Sequence, residues 1–317
     1  MININSLRII DLFAGCGGMS LGFANAKLNI IGAVDNWKPA INVYRKNFTH
    51  PIHNLDIGDK ANWEFIRKTK CNFITGGSPC QDFSSAGSRN EDSGRGDLSI
   101  RFAELIEYIQ PSIFVMENVE RYQKSKKYKQ VIEILKRNKY GLTEKVFNAA
   151  YCGVPQNRQR YICVGVLNGA DHELLPYLNA GLSSKPMTVR DYFGDSLNIE
   201  HYYRHARSYK RRAVFSISEP SPTIRGTNRP IPPGYKGHPS DTAPINSKLR
   251  PLTTFERAAI QTFPSNFDFS NETNTNLEEM IGNAVPVKLA EFIANAIKSY
   301  LQTHNAVFSW LESAKLR

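Results

Sequence analysis

The largely apolar run Leu7-Arg8-Ile9-Ile10-Asp11-Leu12-Phe13 leads straight into Ala14-Gly15-Cys16-Gly17-Gly18, and no other junction constrains the fold as much. The run reads as a buried strand, and a helix should follow from about Met19 to Ala26 with Met19, Leu21, Phe23 and Ala26 as its apolar positions. Strand, glycine-rich turn and helix form the nucleotide-binding opening of α/β proteins, because glycines let the backbone approach a ligand closely. A dinucleotide fingerprint needs Gly-x-Gly-x-x-Gly, whereas the third position here is Ser20. The turn therefore serves another nucleoside, or is only a tight turn. The next strand, Asn29-Ile30-Ile31-Gly32-Ala33-Val34, ends on Asp35, where an acid commonly takes the two hydroxyls of a ribose. A helix is expected near residues 37–48. Asp56, in Leu55-Asp56-Ile57, offers a second carboxylate for an adenine amino group, although such an Asp alone is more often a turn residue.

The same rhythm repeats downstream. Cys71-Asn72-Phe73-Ile74-Thr75 reads as a strand, and Gly76-Gly77-Ser78-Pro79-Cys80-Gln81-Asp82-Phe83-Ser84 then presents one thiol at its carboxyl end, where open α/β sheets bind ligands. Most lone cysteines are inert and buried, yet a thiolate in such a place is a strong nucleophile. Residues 85–96, rich in Gly, Ser, Asn and Asp, read as a lid between that thiol and a helix with Leu98, Phe102, Leu105, Ile106 and Ile109 on its core face. Ser112-Ile113-Phe114-Val115-Met116 is a further strand delivering Glu117, which could act as a general acid if burial raises its pKa; the bland alternative is a surface Glu at a strand end. Strand-like stretches at 142–150 and 160–166 flank Gln156-Asn157-Arg158-Gln159-Arg160, whose two arginines suit a phosphate or a carbonyl.

From about Asn168 to Asn274 the βαβ rhythm stops, and Pro, Gly, Ser, Tyr and Arg dominate. We expect residues 1–167 to form an α/β domain, 168–274 a second, irregular domain, and 275–317 a segment returning to the first, with Ala290, Ile293, Ala294, Ile297 and Leu301 on the packing face of its helix. Net charge is +11 and is concentrated: residues 200–236 hold eight Lys or Arg against two Glu, and residues 121–139 hold eight against one. The first patch interleaves His201, Tyr202, Tyr203, His205 and Tyr209, a mixture suited to phosphates and bases; the second reads equally well as a solvated face. Apolar runs are too short for a membrane span and Asp11 comes too early for a signal peptide, so a cytoplasmic protein is expected. Five cysteines without a Cys-x-x-Cys pair argue against a disulfide scaffold and against a metal site.

Taken together, these strings resemble the cytosine-C5 DNA methyltransferases of bacterial modification systems, over nearly the whole chain and in that family's order. Asp11-Leu12-Phe13-Ala14-Gly15-Cys16-Gly17-Gly18 looks like the cofactor loop, Gly77-Ser78-Pro79-Cys80-Gln81 the nucleophile loop, and Glu117-Asn118-Val119 the acid. Gln156-Asn157-Arg158-Gln159-Arg160 matches Gln-x-Arg-x-Arg, and Gly282-Asn283-Ala284-Val285 the C-terminal motif. Pro222-Thr223-Ile224 resembles the Thr-aliphatic signature of target-recognition domains. The departure is at Thr254-Phe255, where the family usually has Pro-Arg before the Glu corresponding to Glu256.

The resemblance implies a Rossmann-like S-adenosylmethionine-dependent α/β fold with a smaller, irregular target-recognition domain, and methylation of a flipped cytosine in a short duplex DNA sequence. S-adenosyl-L-methionine would be held by Phe13, Gly15, Gly17, Gly18, Asp35, Asp56, Ile57, Pro79, Leu98, Asn283 and Val285. Cys80, Glu117, Arg160 and Arg158 would serve catalysis, Arg158 more as support for its loop. DNA would meet Gln81, Ser84, Arg95, Thr223, Ile224, Arg225, Asn228 and Arg229. The enzyme would act as a monomer, without a metal, beside a restriction endonuclease reading the same site. Two rivals remain: a tRNA cytosine methyltransferase on the same scaffold, and a DNA-binding protein that has lost catalysis.

Overall fold

The computed structural model describes residues 4–79, 97–206, 208 and 210–315, without the side chains of Asn5, Asp97 and residues 305–315. The expectations placed on Cys80, Gln81, Ser84, Arg95 and the 85–96 lid therefore lie outside the described residues.

The first half alternates strand and helix: β1 (Ile9–Leu12), α1 (Gly18–Asn25), β2 (Ile30–Asp35), α2 (Lys38–Asn47), β3 (Ile52–Asn54), α3 (Trp63–Lys68), β4 (Phe73–Gly77), α4 (Asp97–Ile109), β5 (Ile113–Val119) and α5 (Lys126–Arg137). Then come β6 (Tyr140–Asn148), the two-residue β7 (Gln156–Asn157) and β8 (Gln159–Leu167). Seven strands form one sheet in the order β3-β2-β1-β4-β5-β8-β6. The first five are parallel, while β8 runs antiparallel between β5 and β6. The expected α/β sheet is thus present.

All four residues of β1 are buried because helices cover both faces of the sheet. Successive side chains of a strand point to opposite faces. Ile9 accordingly joins a core with Met19, Phe23, Leu289, Ile293 and Ile297, and Ile10 joins one with Phe102, Leu105, Ile106 and Leu135. The first core holds the expected C-terminal helix, which runs from Val287 to Lys315 and lays Ala290, Ile293, Ala294, Ile297 and Leu301 against α1.

Beyond β8 come the short elements α6 (Leu175–Ala180), α7 (Val189–Phe193), β9 (His201–Tyr203), β10 (Val214–Ser216), β11 (Ser221–Pro222) and α8 (Thr254–Ile260), then the longer α9 (Asn274–Asn283) and α10, the C-terminal helix. β9 and β10 pair antiparallel, and β11 pairs with β7, tying this region to the Gln156–Asn157 segment. Tyr203, Ala213, Val214 and Leu249 make a small core here, whereas Leu174 and Leu178 belong to the core of the sheet. Among the described residues no helix is long and apolar enough to cross a membrane.

Candidate functional site

A cleft of about 1480 Å³ opens over the carboxyl ends of β1, β2, β4 and β5, between the sheet and the 204–240 region. Its floor begins at the glycine-rich turn. Phe13 holds φ 55°, a conformation rare outside glycine, and Gly15 and Gly17 follow at φ 56° and 101°. Nothing lies within 4 Å of where a Cβ on Gly15 would sit, so the backbone is open to the cleft there. A Cβ on Gly18 would stand 2.2 Å from the Val285 carbonyl, so the C-terminal motif packs directly on this turn.

Asp35 fastens the turn to the end of β2. One carboxylate oxygen accepts the Gly15 N–H and the other the Trp37 N–H, each at 2.8 Å. Burial raises its pKa, and the backbone N–H donors offset only part of that. Asp11 is more extreme. It is almost fully buried, Ser20 Oγ donates to Oδ2 at 2.6 Å, and Oδ1 has no hydrogen-bond partner. Burial pushes its carboxyl up to about 7, opposed by the Ser20 hydrogen bonds and helped by the nearby Asp35 charge. Behind it, Tyr44 OH donates to Ser20 Oγ and meets His50 Nε2 at 2.6 Å. Only the carboxylate inside an otherwise apolar strand marked Asp11 out in the sequence; its partners Ser20, Tyr44 and His50 gave no signal.

Asp11, Phe13, Gly15, Asp35, Trp37, Asn283 and Val285 all face the cleft. They offer aromatic surface, carboxylates, one of them with a buried and unpartnered oxygen, and a bare stretch of backbone, a set that fits an adenosyl-amino acid such as S-adenosyl-L-methionine. Pro79 and Gly18 line the cleft as well, but Asp56, Ile57 and Leu98 do not. Those three gather round Gly58 instead: Asp56 Oδ1 accepts the Gly58 N–H at 2.8 Å, and a Cβ on Gly58 would lie 3.2 Å from Leu98 Cδ2. The Ile57 carbonyl takes the Trp63 indole N–H at 2.9 Å.

The next strands place the acid. Gly77 on β4 is paired with Glu117 on β5, and a Cβ on Gly77 would approach Glu117 Oε2 to 2.7 Å. The absence of a side chain at Gly77 leaves the space in which the carboxylate stands over the strand end. Arg160 Nε meets Glu117 Oε1 at 2.8 Å, with both side chains close to nine-tenths covered. Ser78, just before Pro79, is buried and accepts from Asn118 Nδ2 at 3.3 Å. The segment entering Cys80 is therefore tied to the strand that carries the acid. The four described cysteines, Cys16, Cys71, Cys152 and Cys163, are all buried. Burial pushes the thiols of Cys16 and Cys152 up to about 12 and raises those of Cys71 and Cys163. None of them is fit to be a nucleophile at neutral pH.

Arg158 differs from Arg160: it was expected more as support for its loop, and its contacts are of that kind. Its guanidinium is fully buried and donates at 3.0 Å to the carbonyls of Ile224, Gly282 and Ala284. Beside it, Gln156 Oε1 accepts the Ile224 N–H, Gln156 Nε2 donates to Gln261 Oε1, and Gln261 Nε2 donates to the Ile281 and Ala284 carbonyls. This buried seam joins β7 to the 224 segment and to the C-terminal motif. Gln261 was missed in the sequence, since a Gln near a helix end reads as surface.

The residues expected to meet DNA divide in the same way. Ile224 is buried in the wall of the cleft, and Asn228 lies outside that lining, donating to the Leu252 carbonyl at 2.8 Å. Thr223 Oγ1 donates to the Asn157 carbonyl, Arg225 donates to the His205 carbonyl, and Arg229 is exposed. Despite the departure just before it, Arg257 is buried, paired with Glu278 and donating to the Arg225 carbonyl.

A family model described as C-5 cytosine-specific DNA methylase matches residues 7–299. The chain belongs to that family. It is a DNA (cytosine-5)-methyltransferase. Type II methyltransferase M.HindV of Haemophilus influenzae is 53% identical over 296 residues, covering 93% of this methyltransferase and 97% of the relative. Type II methyltransferase M.HgiDI of Herpetosiphon aurantiacus is 52% identical, with 93% and 95% covered. In fold, the methyltransferase is similar to the solved Dnmt2 methyltransferase of Schizosaccharomyces pombe (TM-score 0.67, 19% identity, 94% and 99% covered). It is likewise similar to the methyltransferase EhMeth of Entamoeba histolytica (TM-score 0.67, 20% identity, 93% and 97% covered).

Proposed function

We propose that this methyltransferase modifies one cytosine of a short duplex DNA sequence as the protective half of a type II restriction-modification system, with a cognate endonuclease reading the same site. The observation that carries the mechanism is the Glu117–Arg160 pair, held over Gly77 on the wall of the cleft three residues from Cys80. The burial of the other four cysteines supports Cys80 as the reacting thiol.

The target base leaves the stack, at a cost of a few kcal/mol, because neither face of C5 or C6 is open inside a duplex. The Cys80 thiolate forms a bond to C6, and the displaced electron pair moves toward N3 and O2, leaving C5 nucleophilic. Glu117 meets N3 and shares a proton with it, while Arg160 faces O2, so charge developing on that edge of the ring finds fixed partners. S-adenosyl-L-methionine, when bound, would supply the electrophilic methyl that C5 takes up and would leave as the thioether S-adenosylhomocysteine; Phe13, Asp35, Trp37 and Asn283 would hold it, with Asp11 beside them on the cleft wall. A base then removes the C5 proton, the S–C6 bond breaks, and the ring double bond and the thiol are restored. Arg158 takes no part in these steps and holds the wall in place.

Base-resolution 5-methylcytosine mapping in a host lacking its own cytosine methylation tests this reading, comparing the chain with Cys80→Ser. Methylation at one short motif, absent in the variant while DNA binding persists, is the expected result. Appreciable turnover by the variant, or a blank map from folded wild-type protein, would overturn it.

A further inference from the structure

The 204–240 side of the cleft presents four arginines among the described residues: Arg204, Arg211, Arg212 and Arg225. Three are already engaged within the protein. Arg204 donates to the Thr223 carbonyl at 2.9 Å, and Arg225 donates to that of His205. Arg212 makes a two-pronged pair with Glu219 at 3.1 and 2.5 Å and lies 4.3 Å over the Phe215 ring. Arg211 is exposed, and its guanidinium has no partner among the described residues. A second donor shares this wall. His238 Nδ1 accepts the Ser240 N–H at 3.0 Å, so in the neutral ring the hydrogen sits on Nε2. Its own backbone N–H is pinned to Asp241 Oδ2 at 2.8 Å.

Both groups offer donors only. In the major groove guanine alone shows two adjacent acceptors, N7 and O6, which a guanidinium meets with two parallel bonds. Adenine and cytosine place an amino donor there, and thymine a single acceptor beside a methyl. We infer that Arg211 reads a guanine of the target sequence, with His238 as a second donor to the same stretch of groove. The inference rests on the duplex-DNA reading above. It assigns base recognition to a residue that the sequence motifs did not indicate, in place of Asn228, whose side chain is engaged by the Leu252 carbonyl.

The test is methylation of a random-sequence duplex library, read at base resolution, by wild type, Arg211→Ala and Arg211→Lys. Arg211 is exposed and makes no side-chain bond to the described fold, so the replacements leave folding intact. One guanine position of the motif should become degenerate in Arg211→Ala, discrimination there falling on the order of tenfold to a hundredfold, and partly so in Arg211→Lys. His238→Ala should weaken discrimination at the same or an adjacent position. An unchanged motif would overturn the inference, as would a uniform rate loss at every site with a shallower salt dependence, the mark of a phosphate contact. Wild type that methylates no fixed motif would instead remove the function reading itself.

Discussion

The two walls of the cleft use carboxylates in opposite ways. On the sheet side Asp11 is bonded by Ser20 alone, leaves Oδ1 buried without a partner and is pushed up to about 7. On the recognition side Asp241 receives four hydrogen bonds: from the backbone of Ala213, Val214 and His238 and from the Tyr235 hydroxyl. Burial alone would raise the Asp241 pKa, but those donors outweigh it and hold the carboxyl below its usual range. The sheet needs no side chain to hold it together, because ladders and helices already do so, and its strand ends can leave polar capacity facing a ligand. The 204–240 region has little ladder, so its side chains must tie coil to coil, and few are left over for a ligand.

If that contrast is right, a change on the sheet side should alter rate and leave the recognised sequence alone. Glu117→Gln is the largest case. Methyl transfer in single turnover should slow by roughly 10²–10⁴-fold, the usual share of a positioned acid or base. The methylated motif and the affinity for S-adenosylhomocysteine should stay as in wild type. Equal single-turnover rates would remove Glu117 from the chemistry, and an altered motif would break the division between the walls.

The same division explains what the sequence discloses. The strand–turn–helix units announce themselves through periodicity and glycines, so Phe13, Gly15, Asp35, Glu117 and Arg160 could be placed on the cleft in advance. Arg158 and Arg160, two residues apart, could not be told apart, because the carbonyls that engage Arg158 come from residues 66 and more positions away. Arg211 and Asp241 were invisible for a related reason. Their roles follow from which neighbours in an irregular chain are already engaged, and no local pattern encodes that.

Asp11 supplies the next largest effect. In the unfolded chain its carboxyl has the ordinary value of 3.8, and in the fold about 7. Between those values the unfolded state has released a proton that the native state keeps, so stability falls as pH rises. Asp11's contribution is therefore full below about pH 4, declines up to about 7 and is constant above, with a span of at most about 4 kcal/mol. Asp11→Asn keeps an acceptor for Ser20 and removes the titration. In urea unfolding the variant should gain on wild type steadily from pH 4.5 to 7.5; parallel stability profiles would show that the buried carboxyl does not titrate in this window.

Asp241→Asn is the smallest effect and the sharpest probe of the other wall. The amide retains one oxygen for Ala213 and Val214, but its NH₂ then faces the His238 N–H donor, and that bond is lost. Losing one charge-assisted bond and weakening the rest costs about 2 kcal/mol. Because the folded carboxyl is held low, this stabilisation is present above the ordinary carboxylate range near pH 4 and disappears as pH falls below it. The gap between the two melting temperatures should therefore be open at pH 7 and narrow below pH 4. With His238 released from its anchor, discrimination should drop a few-fold at the position that His238 serves, while donor-analogue binding and the single-turnover rate at the best site hold. Should the rate fall instead with discrimination intact, Asp241 would act through the sheet wall, and the two sides of the cleft would not be separable.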